Sequence, residues 1–381
     1  MPALSAALDG VGILARSNEL AEGDFLLDQA AAYVTELGGE PDPGQLEAHR
    51  AYLAVMRDDS ATAERSTRTA ITQMKAAGRD VALAAAYGNL GGILGAAGRL
   101  DEAAEYFSLQ LQSYRDLYGP RHAKTLGAEM NRAVEAYQAG RYADAEKTAT
   151  FVLDGQRELG LVVEQAQTLS LLGELQAKQD RPAEAVRSHA RVLALRRQVL
   201  PADHPLLLQS MLDLGQAQLG ADDLTAAEAT LLEARAFAAK GDPGALAYER
   251  VVLHAALTTV MLQTQRLPAA LQAAEASVLA SKALTGPRLF QTAEAHEAHG
   301  LALLALSRYD EASGALRIAT ERVDAVAGVP RLKARLRLEH ARARRGADDE
   351  AGATALVQQA RTLLDDAGDH DSAEWREANA L

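Results

Sequence analysis

His296 and His299 stand three residues apart, flanked by Glu294 and Glu297. On a helix that spacing puts two imidazoles on one face, where they would ligate a metal ion. The HExxH order, which sets two His four apart around a Glu base, is not present. A packed, hydrogen-bonded His pair is therefore expected, and no metal. A second grouping is basic: Lys333, Arg337, His340 and Arg344 fall at i, i+4, i+7 and i+11 and share one helix face. Such a face grips an acidic ligand, pairs with the acidic ends of the chain, or is simply solvated. His122 and His204 occupy matching positions in two breaks and read as helix caps or loop packing.

Other catalytic constellations are missing. There is no GxSxG elbow, no glycine-rich phosphate loop ending in Lys-Ser or Lys-Thr, and no cysteine. The carboxylates are spread over helix faces, so no acid–base pair stands out. No catalytic residue and no cofactor is expected. Among 381 residues, 52 acidic side chains outweigh 39 basic ones, for a net charge of -13. That balance argues against nucleic acid or an anionic membrane as partner. Met1 to Leu14 carry no Lys or Arg, so no signal peptide is read, and a cytoplasmic location is expected. The uncharged run Val81 to Gly98 is mostly Ala and Gly and falls in register with a repeat, so it reads as a repeat helix and not a membrane span.

The elements that hold these residues are repeated. A small residue, often followed by Arg, then an acidic or small residue and an Ala, recurs along the chain. It reads Gly98-Arg99…Glu102-Ala103, Gly140-Arg141…Asp144-Ala145 and Asp180-Arg181…Glu184-Ala185. It continues at Asp222…Ala227, Gln265…Ala270, Ser307…Ala312 and, more loosely, Glu350-Ala351. The Ala residues are 39 to 43 apart. Leu90-Gly91, Leu172-Gly173 and Leu214-Gly215 recur upstream, with His299-Gly300 as a variant. The low aromatic share, 4%, and the Ala, Leu, Glu, Arg and Gln bias favour helix. The pattern predicts a helix ended by the small residue, then a second helix opened by acids that suit its dipole. One such pair cannot bury its apolar face alone, so neighbouring pairs must stack.

The order Leu-Gly, Gly-Arg, Glu-Ala, Phe107 resembles the tetratricopeptide repeat. The stretches RDLYGPRHAKTL (Arg115 to Leu126) and RQVLPADHPL (Arg197 to Leu206) resemble the inter-repeat segments of its kinesin-light-chain type, with units of about 42 residues. Arg132 departs from the family's Leu, and Ala149 and His189 stand where Phe107 stands. The resemblance implies an all-α, right-handed superhelical solenoid of helix–turn–helix repeats. It is read as a single solenoid over residues 1–381: a degenerate helix pair at 1–44, about seven repeats at 45–345 and closing helices at 346–381. It also implies a concave groove lined by the first helix of each pair, and protein or peptide binding, as a monomer or homodimer.

In the family, side chains about 18, 15, 14, 11 and 8 residues before the repeat Ala face that groove. Carried over, the first stripe is Ala85, Gly88, Asn89, Gly92 and Gly95. Glycines so placed admit either a ligand backbone or a tightly packed helix. The next stripe holds Met130, Asn131, Val134 and Tyr137, and then come Gln167, Ser170 and Glu174, followed by Gln209, Asp213 and Gln216. The resemblance assigns Asn89 and Asn131 to the main chain of an extended peptide, which an amide meets with both a donor and an acceptor. Met130, Val134 and Tyr137 would take apolar side chains, and the polar stripes would add specificity. The same register puts Lys333, Arg337, His340 and Arg344 in the groove. Two functions follow: a non-enzymatic scaffold or adaptor gripping a peptide, or a regulator gated by a signal peptide through a change of superhelix pitch.

Overall fold

A computed structural model describes residues 43–380 apart from 243, 285–289 and 327, together with 23, 25, 27–29 and 32. The degenerate pair expected at 1–44 falls almost entirely outside the described residues. The chain divides into two compact units, Met1–Gln179 and Asp180–Leu381. The first contains α1 (Pro43–Met56), α2 (Ser60–Ala76), α3 (Asp80–Ala96), α4 (Leu100–Tyr118), α5 (Ala123–Gln138), α6 (Tyr142–Glu158) and α7 (Val162–Lys178). The second contains α8 (Pro182–Val199), α9 (Pro205–Gly220), α10 (Leu224–Ala238), α11 (Ala247–Gln263), α12 (Leu267–Ser281), α13 (Phe290–Ala305), α14 (Tyr309–Asp324), α15 (Pro330–Gly346), α16 (Glu350–Asp366) and α17 (Ala373–Ala380). The fold is the expected all-α solenoid of stacked helix–turn–helix repeats, with no strand among the described residues. None of the described helices is long and apolar enough to cross a membrane.

The turn inside each repeat explains the recurring small residue. Asp58, Gly98, Gly140, Asp180, Asp222, Gln265, Ser307 and Asp348 all have φ between 56° and 76°. This left-handed residue lets the next N–H reach back five residues and close the helix: Arg99 to the Leu94 carbonyl at 2.9 Å, Arg266 to Met261 at 2.8 Å, Asp349 to Arg344 at 2.9 Å. Five residues after each turn stands the repeat Ala: 63, 103, 145, 185, 227, 270, 312 and 353, none more than 1% exposed. Where the residue after the turn is Asp, its carboxylate caps the second helix, as Asp223 does for the Ala226 N–H at 3.0 Å. Where it is Arg, it can reach the acid of the preceding repeat instead: Arg99 to Glu64 at 2.8 Å and Arg266 to Glu228 at 2.7 Å. These exposed pairs align neighbouring repeats more than they stabilise them. His122 and His204 cap α5 and α9, each Nδ1 accepting an N–H two residues on at 3.2 Å.

The Leu-Gly pair is a packing device. A Cβ on Gly91 would come within 2.7 Å of the Phe107 ring, and one on Gly215 within 2.7 Å of Leu231. Gly300 stands in the same relation to Leu316. Each Gly in a first helix makes room for a large side chain in the second. The repeats with Ala149 and Ala274 at the large position carry Ala133 and Thr258 in place of the Gly. Volume is traded across the helix pair, as close packing requires. In each unit the first helices of successive repeats touch: α1–α3, α3–α5 and α5–α7, then α9–α11, α11–α13 and α13–α15. Small residues on these first helices permit that approach, and it places them on the inner side of each stack.

Candidate functional site

In the first unit the inner faces of α1, α3 and α5 enclose an open cavity of about 640 Å³. Its floor is the glycine stripe of α3, and the stripe serves two purposes. A Cβ on Gly88 would collide with the Gln110 amide, so Gly88 is there for helix packing. A Cβ on Gly92 would meet no heavy atom within 4 Å, and one on Gly95 would meet Gln138 at 3.6 Å. Gly92 therefore opens the cavity. Asn89 is exposed on the same face and has no hydrogen bond among the described residues. Asn131 is half-buried on α5 and donates its amide N–H to Gln110 Oε1 at 3.0 Å. Its carbonyl oxygen is left for a partner. Tyr52 and Val55 of α1, both exposed, with Phe107 and Val134, form the apolar walls. Sequence reasoning missed Tyr52, Val55 and Gln110. Tyr52 and Val55 stand 11 and 8 residues before Ala63, at the groove offsets of a repeat whose turn at Asp58 lies upstream of the recurring pattern, and Gln110 belongs to a second helix, outside any first-helix stripe.

The remaining first-unit positions divide by exposure. Met130 is half-buried, its Sδ 3.6 Å from the Thr168 hydroxyl of α7. Tyr137 is half-buried, and burial together with the neighbouring Glu174 carboxylate pushes its hydroxyl up to about 12. Gln167 and Glu174 face solvent. Ser170 spends its hydroxyl on the Ala166 carbonyl at 3.1 Å. Gln209, Asp213 and Gln216 lie in the second unit. There Gln209 donates to Asp213 at 2.7 Å, burial raises the Asp213 carboxyl, and Gln216 is exposed.

The basic stripe is corrected. Lys333, Arg337, His340 and Arg344 do not line an inner face; three of them meet α14. Lys333 Nζ donates to the Asp324 carbonyl at 3.2 Å, and Arg337 Nη2 bonds both Asp324 carboxylate oxygens at 2.8 Å. His340 is buried 3.1 Å from the Ser313 hydroxyl, and Arg344 pairs with Asp349 at 2.7 Å. The reason is register. The repeat Ala of this unit is the buried Ala353, whereas Ala351 is exposed. Counting back from Ala353 puts Arg335, Leu338, Glu339 and Arg342 on the inner face instead. His296 and His299 are half-buried, and burial lowers both rings. They do not form the expected hydrogen-bonded pair: His296 Nδ1 is buried without a partner. No group of three His, Cys, Asp or Glu among the described residues could hold a metal.

Burial depresses His340 and His254, each to about 4. An unfolded chain protonates both near 6.5, and the folded second unit resists this. Stability is therefore present above pH 6.5 and is lost as the pH falls toward 4, by about 2 kcal/mol per ring after allowance for partial exposure. A His254→Gln, His340→Gln variant should show a flatter fall in melting temperature between pH 7 and 4.5 than the parent; parallel curves would refute the assignment.

Against this geometry, the tetratricopeptide-repeat family profile matches residues 82–158 and 164–240. Both stretches are tetratricopeptide repeats. No curated protein sequence matches it. Its repeats superpose on several solved structures at low identity. RapI without ligand gives a TM-score of 0.69 at 11% identity, over 96% of this chain and 98% of that one. The quorum sensor NprR of B. thuringiensis, also without ligand, gives 0.65 at 12%, over 94% and 98%. A Rap protein in complex with Competence and Sporulation Factor gives 0.58 at 11%, over 96% and 98%. At these identities the likeness is one of fold.

Proposed function

We propose that this protein is a non-enzymatic adaptor that holds an extended peptide, or an extended segment of a partner, in the cavity of its first unit. The observation that carries this reading is the bare stretch of α3: Gly92 leaves open space beside an exposed, unpartnered Asn89. Backbone approaches backbone there without meeting a side chain, and the Asn89 amide offers a donor and an acceptor to a peptide group. Across the cavity the free carbonyl of Asn131 adds an acceptor. Tyr52, Val55, Phe107 and Val134 supply the apolar contacts from which such sites draw affinity. Support also comes from the fold of Rap in complex with Competence and Sporulation Factor.

Micromolar affinity, about −8 kcal/mol, is the expected scale. Capture of peptides from a source lysate, read by mass spectrometry, should yield species held by the parent and lost from the Asn89→Ala, Asn131→Ala double variant. Each lost hydrogen bond should weaken binding by about fivefold to tenfold with helicity unchanged. Equal capture by both proteins would remove the assignment. The second reading, a regulator gated by its peptide, is favoured by the fold it has in common with the quorum sensor NprR. A change in radius of gyration on saturation with a captured peptide would support it over a passive scaffold.

A further inference from the structure

The second unit holds a cavity of a different kind. Inner faces of α11, α13 and α15, with the end of α9, enclose about 500 Å³. Phe290, Leu301 and Leu332 give it apolar walls, yet three carboxylates open into it: Glu294 and Glu297 from α13 and Glu339 from α15. Two guanidinium groups stand near and both are engaged. Arg335 pairs with Glu297 at 2.8 Å, and Arg342 pairs with Glu377 of α17 at 2.6 Å. Glu294 and Glu339 have no hydrogen bond among the described residues. Glu339 is only 7% exposed, and its Oε2 is buried with no partner at all. A buried carboxylate oxygen without a donor costs several kcal/mol in an isolated protein, so such a side chain on the wall of a roomy cavity marks a missing partner.

We propose that this cavity is a binding site for an organic cation, an alkylammonium or alkylguanidinium, whose head pairs with Glu339 while its stem lies along Phe290, Leu301 and Leu332, with Glu294 adding negative charge to the wall. The acidic side chains do not converge as a metal requires, and the apolar walls suit a carbon chain carrying a terminal charge. Phe290 adds a ring face to the cation's surroundings. The site is distinct from the first-unit cavity and does not depend on its assignment. Two sources supply this chemistry: a free diamine, or a Lys or Arg side chain on a partner.

Protons occupy the place of the cation until it binds. Burial pushes the Glu339 carboxyl up to about 8, with Glu297 adding to the effect and Arg335 and Arg342 opposing it. Burial, and then Glu297, also raise Glu294, with Arg335 opposing. A bound cation ionises Glu339 and so releases a proton. Binding therefore strengthens as the pH rises.

The test uses the full chain and two probes: 1,4-diaminobutane, and an acetylated, amidated tetrapeptide with one Lys among Ala residues. The same peptide with norleucine is the control. Calorimetry in two buffers of different ionisation enthalpy measures both affinity and proton release. At least one charged probe should bind about tenfold tighter at pH 8.5 than at pH 6.5, with proton release, and the norleucine peptide should not bind. Glu339→Gln should weaken binding by at least about tenfold and abolish the release attributable to that group. Because Gln keeps the shape and removes a buried ionisable group, this variant should melt no lower than the parent at pH 8.5. Glu294→Gln, if Glu339→Gln fails to fold, should likewise weaken binding. Binding of the diamine identifies a free cation as ligand, and binding of the peptide alone identifies a partner's side chain. Failure of both probes at millimolar concentration, or affinity unchanged in the Gln variants, overturns the site.

Discussion

Replacing Gly92 by Leu should weaken peptide binding to the first unit by up to about a hundredfold while raising its melting temperature. A Cβ at Gly92 meets nothing within 4 Å, so a side chain there starts into empty space in the cavity. Helix α3 then exchanges an interior Gly for a strong helix former, a gain of about 0.5–1 kcal/mol. The same side chain occupies the path of the peptide backbone, and an overpacked contact there costs about 1–3 kcal/mol, a loss of up to about a hundredfold in affinity. Stability and binding move in opposite directions, which general damage to the fold cannot produce. Gly88→Leu is the contrasting variant: its Cβ lands on the Gln110 amide, so stability and binding should fall together. Thermal melts beside titrations of a captured peptide decide the matter. Parental affinity in a stable Gly92→Leu variant would show that the ligand does not cross α3 at this point.

The second expectation concerns the trade of volume between paired helices. Leu231→Ala should destabilise the second unit by about 3 kcal/mol, since Leu231 is fully buried and the cavity left behind cannot collapse between two helices. Gly215→Ala alone should cost about 1–3 kcal/mol, because the new Cβ lies 2.7 Å from Leu231 Cδ2. Together the two changes should cost at least about 1 kcal/mol less than their sum. The added methyl then fills part of the space vacated by the Leu. The chain itself carries this solution at Ala133 and Ala149, both fully buried. Denaturant titrations of the four proteins measure the coupling, and strict additivity would mean that Gly215 and Leu231 are not a packing pair.

These pairs mark where reading the sequence succeeds. The Leu-Gly, turn and Ala positions recur because every helix pair solves one local problem: end a helix in a left-handed residue, restart it, and let an Ala pass close to its neighbour. Such constraints act within about forty residues and repeat, so they are visible as periodicity. The caps at His122 and His204 were legible for the same reason.

Failures of the reading are equally specific. Ala351 and Ala353 are both acceptable in a helix, and only burial tells them apart. A two-residue slip turns a helix by about 200°, nearly the opposite face. That slip assigned Lys333, Arg337, His340 and Arg344 to the groove and hid Glu339, the buried carboxylate that does face inward. Likewise Gly88 and Gly92 are the same residue on the same stripe. Whether a glycine serves packing or leaves a space open depends on Gln110, which comes from the next helix. Gln110 reaches the first cavity from a second helix, and Glu294 and Glu339 line one cavity from two repeats.

By itself, the sequence determined the helices, their turns and the stacking of pairs, because those rest on contacts between residues near in the chain. The tertiary structure alone decided which faces look inward and which polar groups are left without partners. That outcome depends on the rotation of each helix against neighbours from other repeats, and no local pattern encodes that angle.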